Sequence, residues 1–194
     1  QPALAERWEI SADGLVYTFF LRKGVTYHDG AKFDAATVKF SLDRARDEKS
    51  VNPQKPLFEP IASVDVVDAT TVKVTLKRAT GAFLFNMGWP AAVIVSPQSA
   101  DNNKTNPIGT GPFKFVNWMK GASVELARNE SYWGKKPKLD KISFKIISDP
   151  TGAYAALIAG DVDAYPIYPA PENLNQFRAD PRFTVVVGNT EGKT

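Results

Sequence analysis

Short runs in which apolar residues take every second position alternate with a single stretch at helical spacing. Trp8-Glu9-Ile10-Ser11 and Tyr17-Thr18-Phe19-Phe20-Leu21-Arg22 are rich in β-formers and flank Asp13-Gly14, a pattern that predicts a hairpin. Tyr27-His28-Asp29-Gly30 marks a further turn. A helix is then predicted to open at Asp34, a good N-cap, with Phe33 and Val38 placed as a hydrophobic staple. Val38, Leu42 and Ala45 form its apolar stripe, and Arg46 to Lys49 suit its C-terminal dipole. Pro53, Pro56 and Pro60 break the next stretch into an irregular crossing. Val64-Asp65-Val66 and Val72-Lys73-Val74-Thr75-Leu76, around Asp68-Ala69-Thr70, predict a second hairpin with one wet face. Gly81 to Met87 reads as a short helix before Trp89-Pro90.

Gly109-Thr110-Gly111-Pro112 is a sharp turn leading into Phe113–Phe115 and Ser123–Leu126, an expected antiparallel pair. From Ile142 the pattern changes. Ile142–Ile147 reads as a strand, and Asp149-Pro150 opens a helix that Gly160 caps. Val162–Ala164 is expected to be a short strand, Pro171 to Phe177 a helix, and Phe183–Val187 a closing strand. The fold class is α/β in the mixed sense, antiparallel α+β in the first half and alternating strand and helix in the second.

The 194 residues, with 12 Phe, 6 Tyr and 4 Trp, suffice for a sizeable core in one large domain or two small ones. A net charge of +3 is too small for a nucleic-acid footprint, so no nucleic-acid partner is expected. The basic excess sits at Lys135, Lys136, Lys138, Lys141 and Lys145: either a solvated strand face with the loop leading into it, or a weak contact for an anionic surface. No apolar run approaches the ~20 residues of a membrane span. No signal peptide precedes Gln1, and the domain-like opening suggests a chain starting inside a longer precursor.

Candidate chemistry is sparse. Zero Cys removes disulfides, thiolate catalysis and Cys-based metal sites. The single His, His28, is followed by Asp29, but neighbours on a hairpin seldom face each other, and a turn-stabilising role is expected. Gly109-Thr110-Gly111 lacks the ending of a phosphate loop. Asp161 and Asp163 would share one strand face and supply too few oxygens for a metal. No catalytic residue, metal site or cofactor is therefore expected. More suggestive is Tyr165-Pro166-Ile167-Tyr168-Pro169, a stiffened aromatic segment after a predicted strand, where open α/β sheets bind ligands. A surface connector with incidental tyrosines reads equally well, and Trp89 is open to both core packing and ligand contact.

Several phrases add up to a family. Leu4 to Gly14, Tyr17–Phe19, Leu21–Val25, His28-Asp29-Gly30, Phe33–Ala35 and Val38–Leu42 resemble the opening of periplasmic peptide- and nickel-type solute-binding proteins of ABC importers, extracellular solute-binding family 5. Asn106 to Phe113, Asn129 to Trp133 and Gly160 to Ala164 continue the resemblance, which covers nearly the whole chain. It implies part of a two-lobe periplasmic-binding-protein-like fold: residues 1–95 as an accessory antiparallel subdomain, 96–194 as part of the first lobe, the chain ending at Glu191–Thr194 before a second lobe.

The implied function is noncovalent capture of a peptide-like or other small solute and delivery to ABC permease subunits. The implied location is the periplasm, or the outer membrane face through a lipid anchor in a Gram-positive source. By position, Tyr165, Pro166 and Ile167 match ligand-touching residues of peptide-binding relatives; Tyr168 and Trp89 join them as candidates. Asn52 lies near another matching contact. Two other readings stand beside this one: a ligand-incompetent piece of such a protein, self-associating through open sheet edges, and a small hydrolase.

Overall fold

The computed structural model describes residues 3–188; Gln1, Pro2 and 189–194, with Glu191–Thr194 among them, lie outside the described residues. The chain divides into two compact units, residues 1–117 with 125–142 and residues 118–124 with 143–194.

Both predicted hairpins form in the first unit. β1 (Ala5–Ile10), β2 (Val16–Leu21), β3 (Ile61–Asp68) and β4 (Thr71–Leu76) build an antiparallel sheet of order β1-β2-β4-β3. Period-two patterning sets the register: Tyr17 pairs with Val74, which pairs with Val64, so one apolar row crosses three strands. Gly14, at φ 70°, turns the first hairpin, and Asp68 Oδ1 accepts from Thr70 N–H at 2.7 Å in the second.

α1 (Ala35–Arg46) packs Val38 and Leu42 on the apolar face, where they are joined by fully buried Phe58 and Phe83. Phe83 comes from the one-turn α2 (Phe83–Asn86), its ring 4.7 Å from that of Tyr17. Asp34 caps α1 as expected. Its Oδ1 accepts from Thr37 N–H at 3.1 Å, while Thr37 Oγ1 accepts from Asp34 N–H at 3.3 Å, and the staple residues Phe33 and Val38 are both buried. Buried Ser41 ties α1 to the distant strap at Val95: its Oγ donates to Val95 O at 3.1 Å and accepts from Val95 N–H at 2.9 Å.

The turn at Gly109–Pro112 is held by side chains from far along the chain. His28 Nδ1 accepts from Gly109 N–H at 3.3 Å, so the proton sits on Nε2, which donates to Gly111 O at 3.0 Å. Asn129 Nδ2 donates to the same carbonyl at 3.0 Å, and Trp133 Nε1 donates to Thr110 O at 3.1 Å. Backbone N–H groups of His28 and Asn129 reach Gly109 O and Pro112 O, both at 2.8 Å. The guanidinium of Arg22 lies 4.5 Å over the Trp133 ring and adds a cation–π contact.

β5 (Phe113–Met119), β6 (Ser123–Arg128) and β7 (Lys141–Lys145) make a second sheet in that order. Arg128 N–H bonds Asp140 O and Ile146 N–H bonds Ala122 O, both at 2.8 Å, so β6 and β7 run antiparallel. In the second unit α3 (Pro150–Ala159) starts at its Asp149 cap, with Asp149 Oδ2 accepting from Gly152 N–H at 2.6 Å, and stops at left-handed Gly160. α4 (Leu174–Ala179) follows a short turn of helix at Pro171–Asn173.

Two expected strands are absent. Val162–Ala164 is a bend, and Phe183–Val187 is irregular. β-branched runs extend only when another strand offers its ladder, and among the described residues none lies alongside them; Val186 is 84% exposed. The expected strand–helix alternation after Ile142 therefore reduces to β7, α3 and α4.

Two tests address these local determinants. Asp34→Ala should cost about 1 kcal/mol in urea denaturation, through an orphaned N–H at the start of α1; unchanged stability would remove Asp34 from the capping role. His28→Ala should cost about 1–3 kcal/mol, because the Gly109 N–H and part of the Gly111 carbonyl's bonding are left unsatisfied. The ring also sets a pH dependence. Burial lowers the His28 pKa below its usual 6.5, helped by Lys114 and opposed by the Gly111 hydrogen bond and Asp29. The folded state thus prefers the neutral ring. Its contribution is complete above the ordinary histidine range and is lost as pH falls from there through the lower folded value. Denaturation midpoints measured across that window should fall for the natural sequence, and the His28→Ala variant should lack that component.

Candidate functional site

His28 is not available for proton transfer, since both ring nitrogens are engaged by the backbone of the Gly109–Gly111 turn. Asp29 holds its own turn instead of the ring, its Oδ1 accepting from Ala31 N–H at 3.0 Å. Among the described residues no three His, Cys, Asp or Glu side chains stand close enough to hold a metal ion. Of the basic cluster, Lys136 pairs with Glu130 at 3.1 Å and Lys145 donates to Asp161 O at 2.7 Å. Lys135, Lys138 and Lys141 make no ion pair among the described residues and stand as a solvated charge run.

In the second unit, Tyr165 and Tyr168 come together edge to face, centroids 5.8 Å apart. Both are half-buried and both hydroxyls are engaged: Tyr165 Oη donates to Ile147 O at 3.0 Å, and Tyr168 Oη accepts from Asn173 Nδ2 at 3.3 Å. Tyr168 packs on buried Phe177 at 5.3 Å, which also meets Tyr154 and Phe183. Between the two rings, Pro166 is exposed and Ile167 is 87% exposed. The tyrosines are therefore a platform fixed by their own unit, and Pro166-Ile167 is the apolar surface that the platform presents. The residues before it form a bend, so the segment does not sit at a strand's carboxyl end.

Trp89 belongs to the first unit. It is 42% exposed and makes an edge contact with exposed Phe85 at 6.0 Å, so it is not a core residue. The next residue, Pro90, lines a groove of about 950 Å³ along the outer side of α1. Of the residues lining this groove, sequence reasoning offered only Asn52 as lying near a ligand contact. The signal for the others was Phe40, an aromatic out of phase with the inward stripe of α1. The walls are α1 itself, the segment 47–52 and the strap 90–95, the last held by Ser41. Phe40, Val51 and Val93 supply apolar surface, and Lys39, Asp43, Arg44, Asp47, Lys49 and Lys104 supply charge. Asp43 takes Lys39 Nζ at 2.7 Å and Arg46 Nη2 at 2.8 Å. Burial raises its pKa, but those two hydrogen-bonded cations outweigh burial and leave it below the usual carboxylate value.

Comparison with known proteins gives these surfaces a context. Glutathione-binding protein GsiB of Pectobacterium atrosepticum is 41% identical over 170 residues, covering 84% of this chain and 33% of that protein. The crystal structure of NikZ from Campylobacter jejuni in complex with Ni(L-His) superposes with a TM-score of 0.86 at 39% identity, covering 93% of this chain and 37% of NikZ. The ABC transporter-associated periplasmic binding protein DppA from Helicobacter pylori, in complex with the peptide STSA, gives 0.82 at 33% identity, covering 93% of this chain and 40% of DppA. The chain thus spans between a third and two fifths of the length of these relatives. The match to the bacterial extracellular solute-binding proteins, family 5 middle region, runs over residues 1–194, and the chain belongs to that family.

Proposed function

We propose that this chain is part of the solute-binding component of an ABC importer, capturing a peptide-like or other small solute outside the cytoplasm and passing it to membrane permease subunits without chemical change. The family match over residues 1–194 carries the reading. The engaged ring of His28 agrees with a role in capture rather than catalysis. Location in the periplasm, or on the outer membrane face through a lipid anchor, follows from the same reading. So does the assignment of 1–95 to an accessory subdomain and 96–194 to part of the first lobe.

The proposed contact surfaces are Tyr165, Pro166, Ile167 and Tyr168 on the second unit, with Trp89 and the groove beside α1 on the first. Ile167 serves as an apolar contact, because an 87% exposed side chain contributes little to its own unit's packing. Tyr165 and Tyr168 act by holding the backbone on either side of it.

The test uses the intact protein that carries this chain. Mass spectrometry of the purified protein should find a retained solute, unaltered after prolonged incubation; turnover of that solute would replace the reading with an enzymatic one. Ile167→Ala should weaken its binding severalfold with an unchanged melting temperature. Unchanged affinity would take Ile167 out of the contact surface, and a large drop in melting temperature would make it a packing residue instead.

A further inference from the structure

The groove beside α1 has a charge balance that its own ion pairs do not cancel. Asp43 is satisfied by Lys39 and by Arg46, and Lys39 also donates to Val64 O at 2.8 Å. That leaves Arg44, Lys49 and Lys104 on the lining, each exposed and without an ion pair among the described residues, against the single carboxylate of Asp47. Asp47 Oδ1 accepts from Lys49 backbone N–H at 2.7 Å, which leaves the Lys49 ammonium free. Asn52 adds to the same bias: its Oδ1 accepts from Gln54 N–H at 2.9 Å, and its amide NH2 remains a donor.

These free cations share the groove with exposed apolar side chains. Val51 is 90% exposed and Val93 60% exposed, and half-buried Phe40 of α1 lines the same groove. Low-dielectric walls beside unpaired cations strengthen attraction for an anion and penalise a cation. The two properties together define an occupant. We propose that the solute held in this groove is an anion with an apolar portion, its carboxylate or phosphate set against Arg44, Lys49 and Lys104 and its apolar part against Phe40, Val51 and Val93. The inference rests on the solute-binding reading and narrows it to a chemical class.

The test is calorimetric titration of the intact protein, at low ionic strength, with three probes: the N-acetylated dipeptide acid acetyl-Leu-Phe, its C-terminal amide, and phenyl phosphate. At least one anionic probe should bind about tenfold or more tightly than the amide, and added salt should erode the difference. Preference for acetyl-Leu-Phe over phenyl phosphate assigns the anion as carboxylate, and the reverse as phosphate. The triple variant R44A/K49A/K104A, whose side chains are exposed and unpaired, should keep its melting temperature and bind acid and amide alike. Binding of neither anionic probe more tightly than the amide to the natural protein, or an anion preference that survives in the triple variant, overturns the proposal. If none of the three binds, the solute retained on purification decides. An anionic one that the triple variant fails to retain supports the proposal, and one the variant still retains overturns it. A neutral or cationic one overturns the proposal while leaving the solute-binding reading intact, and the absence of any retained solute overturns both.

Discussion

A single turn whose carbonyls are met by donors from distant segments organises much of the first unit. Gly109 to Pro112 expose four successive carbonyls, and every one is met by a donor from elsewhere in the chain: His28 at Gly109 and Gly111, Trp133 at Thr110, Asn129 at Gly111 and Pro112. Buried carbonyls left unmet would each cost more than a single net hydrogen bond returns, so the three segments are bound to meet there. The hairpin end at His28, the start of β5 and the stretch after β6 thereby share one anchor, and the tautomer of one imidazole is dictated by it.

That anchor also accounts for three of the phrases that carry the family likeness. His28-Asp29-Gly30, Asn106 to Phe113 and Asn129 to Trp133 are among the phrases that resemble the family, and they are the three segments that meet at this turn. They describe scaffold rather than ligand contact. A chain can therefore be placed in the family with ease while its solute stays outside the reach of those motifs.

Local signals made most of the fold legible. Asp13-Gly14, the Asp34 cap, the Asp149-Pro150 start and the Gly160 stop each act within a few residues, and each appears where the sequence placed it. Val162–Ala164 and Phe183–Val187 failed because strand formation depends on a neighbour that no local pattern records. The groove was hidden for a related reason. Its walls come from residues 36–52 and 90–104, with Val66 between, and no spacing rule connects them. The aromatic segment at Tyr165 was visible by composition, but its division of labour was not: the tyrosines turn to their own unit, and the aliphatic Ile167 faces out.

Under the proposed reading of the groove, the two hydrogen bonds between Ser41 and Val95 bear on how fast it would fill. They fix the strap to the second turn of α1, the single hydroxyl proton being shared between Val95 O at 3.1 Å and Thr37 O at 2.8 Å. One wall is thus already in place before an occupant arrives, and its ordering entropy was spent in folding. Encounter at that wall needs no loop to settle first. Differences in residence time among solutes would then arise from how well each fits a rigid surface, and discrimination would show in dissociation rather than in capture.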